Sequence, residues 1–502
     1  MDFNFIPDQL RIPGAYIEVD GSMAGLNSGG TPNLLLVGQK LPTGTAVAGE
    51  ITFISHLEDA IAKAGAGSML AQMAARFYAI NPLLNLYMLP FAESVSGAKA
   101  QATLTVTSAP TEAGVLSLYI GGNLISVAVT SADTTATVAA AIKAAIDAVE
   151  ANNANTLSCV ASVAGNVVTL TSKGAGSYGN GIDVRFNAGR TDKTPAGLIV
   201  SNSGFAGGTM TPAAITDANI AAIFDADASG FLDSPAKYMA LGLNDDVTVQ
   251  AFHVESQRRY APPIQSGFRA FTALNADYAT TFSYGAAKNC EHICCVALNN
   301  AQTSAWEAAA IIATAAAPAL YDNPVKSLEG INLLGLKLGN YFSFSQMNAL
   351  LYKGISIVQR ARDGSVSIKR LISLYQYRPD NSADDAYLDI NTTEVLERIR
   401  YEQRMAAIQR FAGTVAAKSN QNYRPGLNIT TVAEIRGFLL SMYRDTLQAE
   451  LGWVQEYEYY KQHLVVEQDP RNPSRFNYTD TPVILSPFYI LAGKAQFRKY
   501  VG

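Results

Sequence analysis

Short, uninterrupted apolar runs of strand length, separated by helical repeats, constrain this chain more than any other feature. Residues 33–37 form one such run; helical patterns follow from Leu57 and over residues 69–80, and Leu86-Tyr87-Met88-Leu89-Pro90 is the next run. A strand that is apolar on both sides must be covered on both faces, and strands joined through a helix run parallel, so this order implies a βαβ unit in a parallel sheet. The alternation returns after Ala213, with helix-like residues 220–224, strand-like 237–241, helix-like 247–257, strand-like 269–274, then residues 291–298 and a helix over 304–317. An α/β domain is therefore expected in two pieces, residues 26–96 and 210–335.

The stretch between those pieces, residues 97–209, is built from Thr, Ser, Ala, Gly and Val and holds only 12 charged residues. Alternating runs at 102–107, 115–120, 124–129, 167–171 and 182–186 read as strands, interrupted by one helix in which Val138, Ile142, Ile146 and Val149 share a stripe after Asp133-Thr134-Thr135. This predicts an inserted β-rich domain. The last third changes again: a hairpin over 354–360 and 365–375, turned at Asp363-Gly364 as type I′ geometry prefers, precedes two long amphipathic helices. Asn391-Thr392-Thr393-Glu394 and Thr431-Val432-Ala433-Glu434 read as capping boxes, Gly413 and Gly452 as stops, and Val432, Ile435, Leu439 and Met442 as one buried face. This pattern predicts an α+β C-terminal domain over residues 336–480.

Both ends read as extended arms, residues 1–25 and 481–502. Ala15, Ile17 and Val19 alternate with Tyr16, Glu18 and Asp20, and Gly21, Gly25, Gly29 and Gly30 tether that strand loosely to the α/β domain. Val483-Ile484-Leu485 and Phe488-Tyr489-Ile490-Leu491 are separated by Pro487, which confines them to an edge or to two short strands. A tethered strand can complete a neighbour's sheet, so Ala15, Tyr16, Ile17, Val19, Val483, Ile484, Leu485, Phe488 and Ile490 are the candidates for exchange between subunits.

With 502 residues the chain exceeds one compact core, and two to four domains are expected. Hydrophobic residues reach 48% against 16% charged, which argues against disorder and for surface committed to partners. Four cysteines in such a length are no disulfide framework and suit a reducing cytoplasm; neither a signal peptide nor a membrane-spanning helix is expected. Residues 353–502 hold 20 of the 37 Lys+Arg but only 16 of the 42 Asp+Glu, so a net −9 front precedes a net +4 back. Arg398, Arg400, Arg404 and Arg410 on the first long helix, with Lys494, Arg498 and Lys499 at the end, are candidates for an acidic partner, a solvated helix face or pairing within the chain with Glu397 and Glu402 being the alternative.

No catalytic, cofactor or metal site is expected. His56, His253, His292 and His463 lack a catalytic context, and no Gly-x-Ser-x-Gly elbow occurs. Gly174, Gly176 and Gly179 fit a phosphate-loop spacing but lead into a strand, where phosphate binding needs a helix N-terminus. Cys290, His292, Cys294 and Cys295 lack a second ligand cluster to complete a tetrahedral site. Basic and aromatic residues combine into no nucleic-acid motif.

Four segments in order resemble the contractile-tail sheath proteins of Mu-like phages. Ile12-Pro13-Gly14-Ala15-Tyr16-Ile17-Glu18-Val19 resembles their "PGVYIE" entry, and Leu35-Leu36-Val37-Gly38 the strand ending in "VG". Residues 74–90 are similar to the start of the sheath core, and the stretch from Lys173 to Arg185 to the "G-x-x-G-N-x-I-D-x-R" signature of Mu-type inserts. The resemblance covers nearly the whole chain. It implies a subtilisin-like α/β core without protease activity, a protruding inserted domain, and a C-terminal domain that receives arms of neighbouring subunits. It further implies a homo-oligomer of stacked hexameric rings in the virion tail, with tail tube, baseplate and tail terminator proteins as partners, the tube being met through the C-terminal domain. The sheath of an R-type bacteriocin or related injection machine is the alternative.

Overall fold

The computed structural model describes residues 31–419 and 427–499, so the strand expected around Tyr16 lies outside the described residues. The first βαβ unit comprises β1 (Asn33–Gln39), β2 (Thr52–Ile54), α1 (Leu57–Ala64), α2 (Met69–Ile80) and β3 (Asn85–Phe91). Leu34, Leu35, Leu36 and Val37 have no solvent exposure, as expected of a strand covered on both faces.

The β-rich stretch comes next, with β4 (Lys99–Ser108), β5 (Gly114–Ile120), β6 (Asn123–Val129), α3 (Thr135–Asn152), β7 (Cys159–Ala164), β8 (Val167–Ala175), β9 (Val184–Phe186) and β10 (Ile199–Asn202). These strands form two sheets of their own, ordered β10-β4-β8-β7 and β6-β5-β9. Thr134 caps α3, and Val138, Ile142 and Ile146 are buried along its inner face. Strands β7 and β10 carry exposed Val160 and Ile199 and escaped the alternation pattern.

The chain returns through α4 (Asp217–Asp225), β11 (Lys237–Leu241), α5 (Asp246–Tyr260), β12 (Arg269–Asn275), α6 (Tyr278–Ala286), β13 (Ile293–Leu298), α7 (Ala305–Asp322), α8 (Phe344–Leu351), β14 (Ile355–Arg360) and β15 (Val366–Arg370). Eight strands make one sheet in the order β15-β14-β13-β12-β11-β1-β3-β2. The six central strands are parallel, and β2 and β15 close its edges antiparallel. Helices α2 and α7 pack together against this sheet. A capping box between Ser304 and Glu307 starts α7, and Pro318 lies within it.

The hairpin differs from expectation in place and in turn. It belongs to the eight-stranded sheet, with Ile355 registered parallel to Cys295, so the sheet runs past the boundary expected at residue 335. Ser356 of β14 is fully buried. Its hydroxyl is buried and satisfied, donating to the Ile372 carbonyl (2.9 Å) and accepting from the Ile372 amide (2.8 Å). At the turn only Gly364 is left-handed (φ +95°), whereas a type I′ turn needs positive φ at both central residues. The Gly364 amide reaches the Ala361 carbonyl and the Ala361 amide the Ser365 carbonyl, a longer loop.

A second hydrophobic cluster forms further on, from α9 (Ile390–Phe411), α10 (Val432–Ser441) with its π-helical continuation over Met442–Glu450, and α11 (Tyr457–His463). The box at Thr431 forms, with Glu434 reciprocating. The one read at Asn391 does not: Asp389 is the N-cap, while the Asn391 amide donates to the Pro324 and Lys326 carbonyls at 2.7 and 3.0 Å. Small two-stranded sheets complete the region: β16 (Val415–Ala416) with β17 (Ile429–Thr430), β18 (Val454–Gln455) with β21 (Val483–Ile484), and β19 (Val465–Gln468) with β20 (Phe476–Thr479). Among the described residues no helix is long and apolar enough to cross a membrane.

Candidate functional site

The C-terminal region carries the described arm and basic candidates, and α9 roots it in the eight-stranded sheet. Lys237 opens β11 and Arg269 opens β12, two cations at the starts of strands that are otherwise apolar. Burial of such charges requires counter-charges, and α9 supplies them. Glu394 accepts from the Tyr238 hydroxyl (3.0 Å) and from Arg398 Nε (3.3 Å), with Arg269 Nε 3.5 Å away. Arg269 also donates to the Thr393 carbonyl, and Glu397 accepts from the Gly267 amide (3.1 Å) and from Arg400. Burial lowers the Lys237 ammonium to about 8 despite Glu397 and Glu394, and burial beside Glu394 holds the Tyr238 hydroxyl well above its ordinary range.

The basic candidates divide accordingly. Arg398 is 3% exposed, ion-paired to Glu394, with its guanidinium 4.5 Å from the Tyr321 ring; Arg400 is engaged by Glu397 and lies 4.3 Å over the Tyr260 ring. Both are occupied within the chain. Arg404 is half-buried beside Tyr401, and Arg410, Lys494, Arg498 and Lys499 are exposed.

The C-terminal arm is held at one short stretch. Val483 and Ile484 oppose Gln455 and Val454, and the Leu485 amide donates to the Trp453 carbonyl at 2.9 Å. The Val483 amide donates to the Tyr443 hydroxyl (3.1 Å); the Tyr443 ring stacks on Tyr460 at 3.8 Å, and the Tyr460 hydroxyl donates to Asp480 (3.2 Å). Sequence reasoning missed Tyr443, Tyr460 and Asp480, whose only signal was the tyrosine cluster at 457–460. Beyond Leu485 the strand expected over 488–491 is absent. Phe488, Ile490, Leu491 and Phe497 are 72–87% exposed, and Tyr489 alone packs, over Arg370 at 4.6 Å. The strand candidates Ala15, Tyr16, Ile17 and Val19 lie outside the described residues.

Chemistry-bearing residues are spent structurally. Cys159, Cys290, Cys294 and Cys295 are buried free thiols, pushed by burial to about 12 or above. Among the described residues no group of three His, Cys, Asp or Glu is placed to hold a metal. His56 caps α1, accepting from the Asp59 amide, and His463 bonds to the Tyr459 carbonyl. His292 is buried against Tyr260, and its neighbour His253 stands 3.8 Å from Glu291.

No protein-family model matches the chain. A curated relative does: the Mu-like prophage FluMu tail sheath protein of Haemophilus influenzae is 30% identical over 503 residues, covering 99% of each chain. Among solved structures, the sheath tail proteins of Desulfitobacterium hafniense and Listeria innocua are each 14% identical. The first matches 94% of this chain and 100% of its own with a TM-score of 0.45, the second 91% and 96% with 0.46. By the full-length identity to the Haemophilus protein, the chain belongs to the tail sheath proteins of Mu-like prophages, structural components of the phage tail.

Proposed function

We propose that the chain polymerises as stacked hexameric rings around a tail tube, and that this sleeve contracts to drive the tube through a host envelope. The observation that carries the reading is the C-terminal arm: two residues of strand on a two-stranded sheet, then a run of exposed Phe488, Ile490, Leu491 and Phe497. Four large apolar side chains exposed within residues 488–497 suit a contact with another chain, and a two-stranded sheet is marginal until strands are added. In the sleeve, Val483, Ile484 and Leu485 leave their own β18 for the same site on a neighbour, which keeps every contact while linking subunits. Ala15, Tyr16, Ile17 and Val19 add a second exchanged strand.

In this reading residues 26–96 and 210–335, extended by the hairpin of β14 and β15, are a subtilisin-like core split by a protruding domain, 97–209. The rest of residues 336–480 receives the arms, residues 1–25 and 481–502. Arg404, Arg410, Lys494, Arg498 and Lys499 face the tube. Exposed ion pairs contribute about 0–1 kcal/mol each, which suits an attachment repeated many times yet broken on contraction. Energy is stored at assembly in an extended, metastable lattice; the baseplate releases it, and subunits shift as rigid bodies with the arms as hinges.

Negative-stain electron microscopy of the purified chain beside a variant ending at Asp480 tests the reading. Hollow sleeves from the full chain, absent from the truncated one, are expected. Monodisperse monomers from both would overturn it.

A further inference from the structure

The glycine-rich stretch from Lys173 to Arg185 sits where the β-rich stretch joins the rest of the chain. That junction consists of two neighbouring crossings, residues 92–98 and 203–216, and two adjacent crossings would ordinarily make a hinge. The loop closes it from inside. The Asn180 side chain brackets Gly208, donating to its carbonyl (2.9 Å) and accepting from its amide (2.8 Å), and the Ser177 amide donates to the Met210 carbonyl at 2.9 Å. On the entering side, the Gly176 amide donates to the Ala98 carbonyl (3.0 Å) and the Ala175 amide to Glu93 (3.1 Å).

The same loop reaches the helices on the large sheet. The Tyr178 ring meets Trp306 of α7 edge-on at 5.4 Å, and the Trp306 indole N–H donates to Gln72 of α2 at 3.1 Å. Arg185, held by Asp183, donates to the Asn300 carbonyl at 3.1 Å. The glycines let the loop press into this joint: a Cβ on Gly176 would lie 3.0 Å from the Gln39 side chain of β1, and one on Gly208 would lie 2.5 Å from the Gly176 carbonyl. Two further loops add separate ties, Asn155 to the Gly67 amide and Ala71 carbonyl at the start of α2, and the Gly122 carbonyl to Lys337. A body fastened through three separate loops has no free axis to swing about.

We propose that the Lys173–Arg185 loop is a clamp that removes the hinge at residues 92–98 and 203–216, so that the β-rich stretch and the eight-stranded sheet turn as one body. Its consequence for contraction, that the protruding part follows the core through the full rotation, rests on the proposed function. The clamp itself can be tested on the unassembled chain, where failure of assembly plays no part.

Hydrogen exchange on the full-length chain reads it out. In the unaltered protein the amides of Gly176, Ser177 and Gly208 exchange slowly, in step with β8. In an Asn180→Ala variant, and further in Asn180→Ala with Tyr178→Ala, those amides exchange roughly tenfold faster or more through local opening while Leu34–Val37 stay protected. Fast exchange at the crossings in the unaltered protein, or crossings indifferent to Asn180→Ala, would overturn the clamp. The first of these needs no variant to fold.

Discussion

Replacing Glu394 with alanine lowers the unfolding free energy by about 3–5 kcal/mol, the usual cost of removing one partner from a buried charge pair. The carboxylate stands between the Tyr238 hydroxyl, Arg269 and Arg398, all almost wholly buried. Without it two guanidinium groups face each other in the interior, where their hydration cannot be restored. The loss is read from urea unfolding of the unassembled chain. Glu458→Ala, which breaks the exposed pair with Lys461, serves as the comparison and changes stability by no more than about 1 kcal/mol. A Glu394→Ala loss no larger than that would mean the α9 root is hydrated and not a sealed junction. Val395 and Ile399, adjacent on α9, belong to the second cluster, so weakening Glu394 also loosens the C-terminal region from the sheet.

Acid destabilises the same junction through histidine. His292 is 1% exposed, and both its ring nitrogens lack a hydrogen-bond partner. Burial, with Arg269, His253 and Arg400 around it, holds its pKa well below the ordinary 6.5, and Glu291 lies 3.9 Å away. Burial also lowers His253. A base whose pKa is depressed by folding stays neutral in the native state while the unfolded chain takes up the proton. The stability it allows is therefore complete above about pH 6.5 and is lost as the pH falls below that value, by about 1.4 kcal/mol per pH unit for each such group. Half-buried Glu402 acts in the opposite sense, since burial raises its carboxyl. Urea unfolding between pH 7 and pH 5 should show the decline, and His292→Leu should flatten it. An unchanged slope in that variant would assign the protons elsewhere.

How far the fold was legible depends on where polar groups were hidden. Strands β1, β3 and β13 are continuous apolar runs and the helices α2 and α7 carry their own caps, so local pattern and tertiary role agree. The hairpin was assigned to the C-terminal domain, yet its first strand pairs with β13 of the large sheet. Helix α9 was legible in part, since Arg400 makes the pairing with Glu397 that was the alternative reading. Its charges suggest a solvated face, yet its first half is covered by both hydrophobic clusters and spends Glu394, Glu397 and Arg398 inward. Lys237 and Arg269, cations opening apolar strands, were the readable sign that buried carboxylates had to exist elsewhere. The C-terminal arm was legible as far as Leu485; beyond it, the apolar run over 488–491 forms no strand within the chain.

Exchange of that arm is the claim on which the assembly rests. Val454 and Ile484 face each other across the short β18–β21 ladder, and the native cysteines are buried. A Val454→Cys, Ile484→Cys variant, assembled into sleeves and then oxidised, reports which chains share the ladder when run on a denaturing non-reducing gel. The account predicts ladders of covalent multimers that collapse to monomer on reduction. Quantitative disulfide formation confined to monomers, in sleeves that nonetheless assemble, would contradict it.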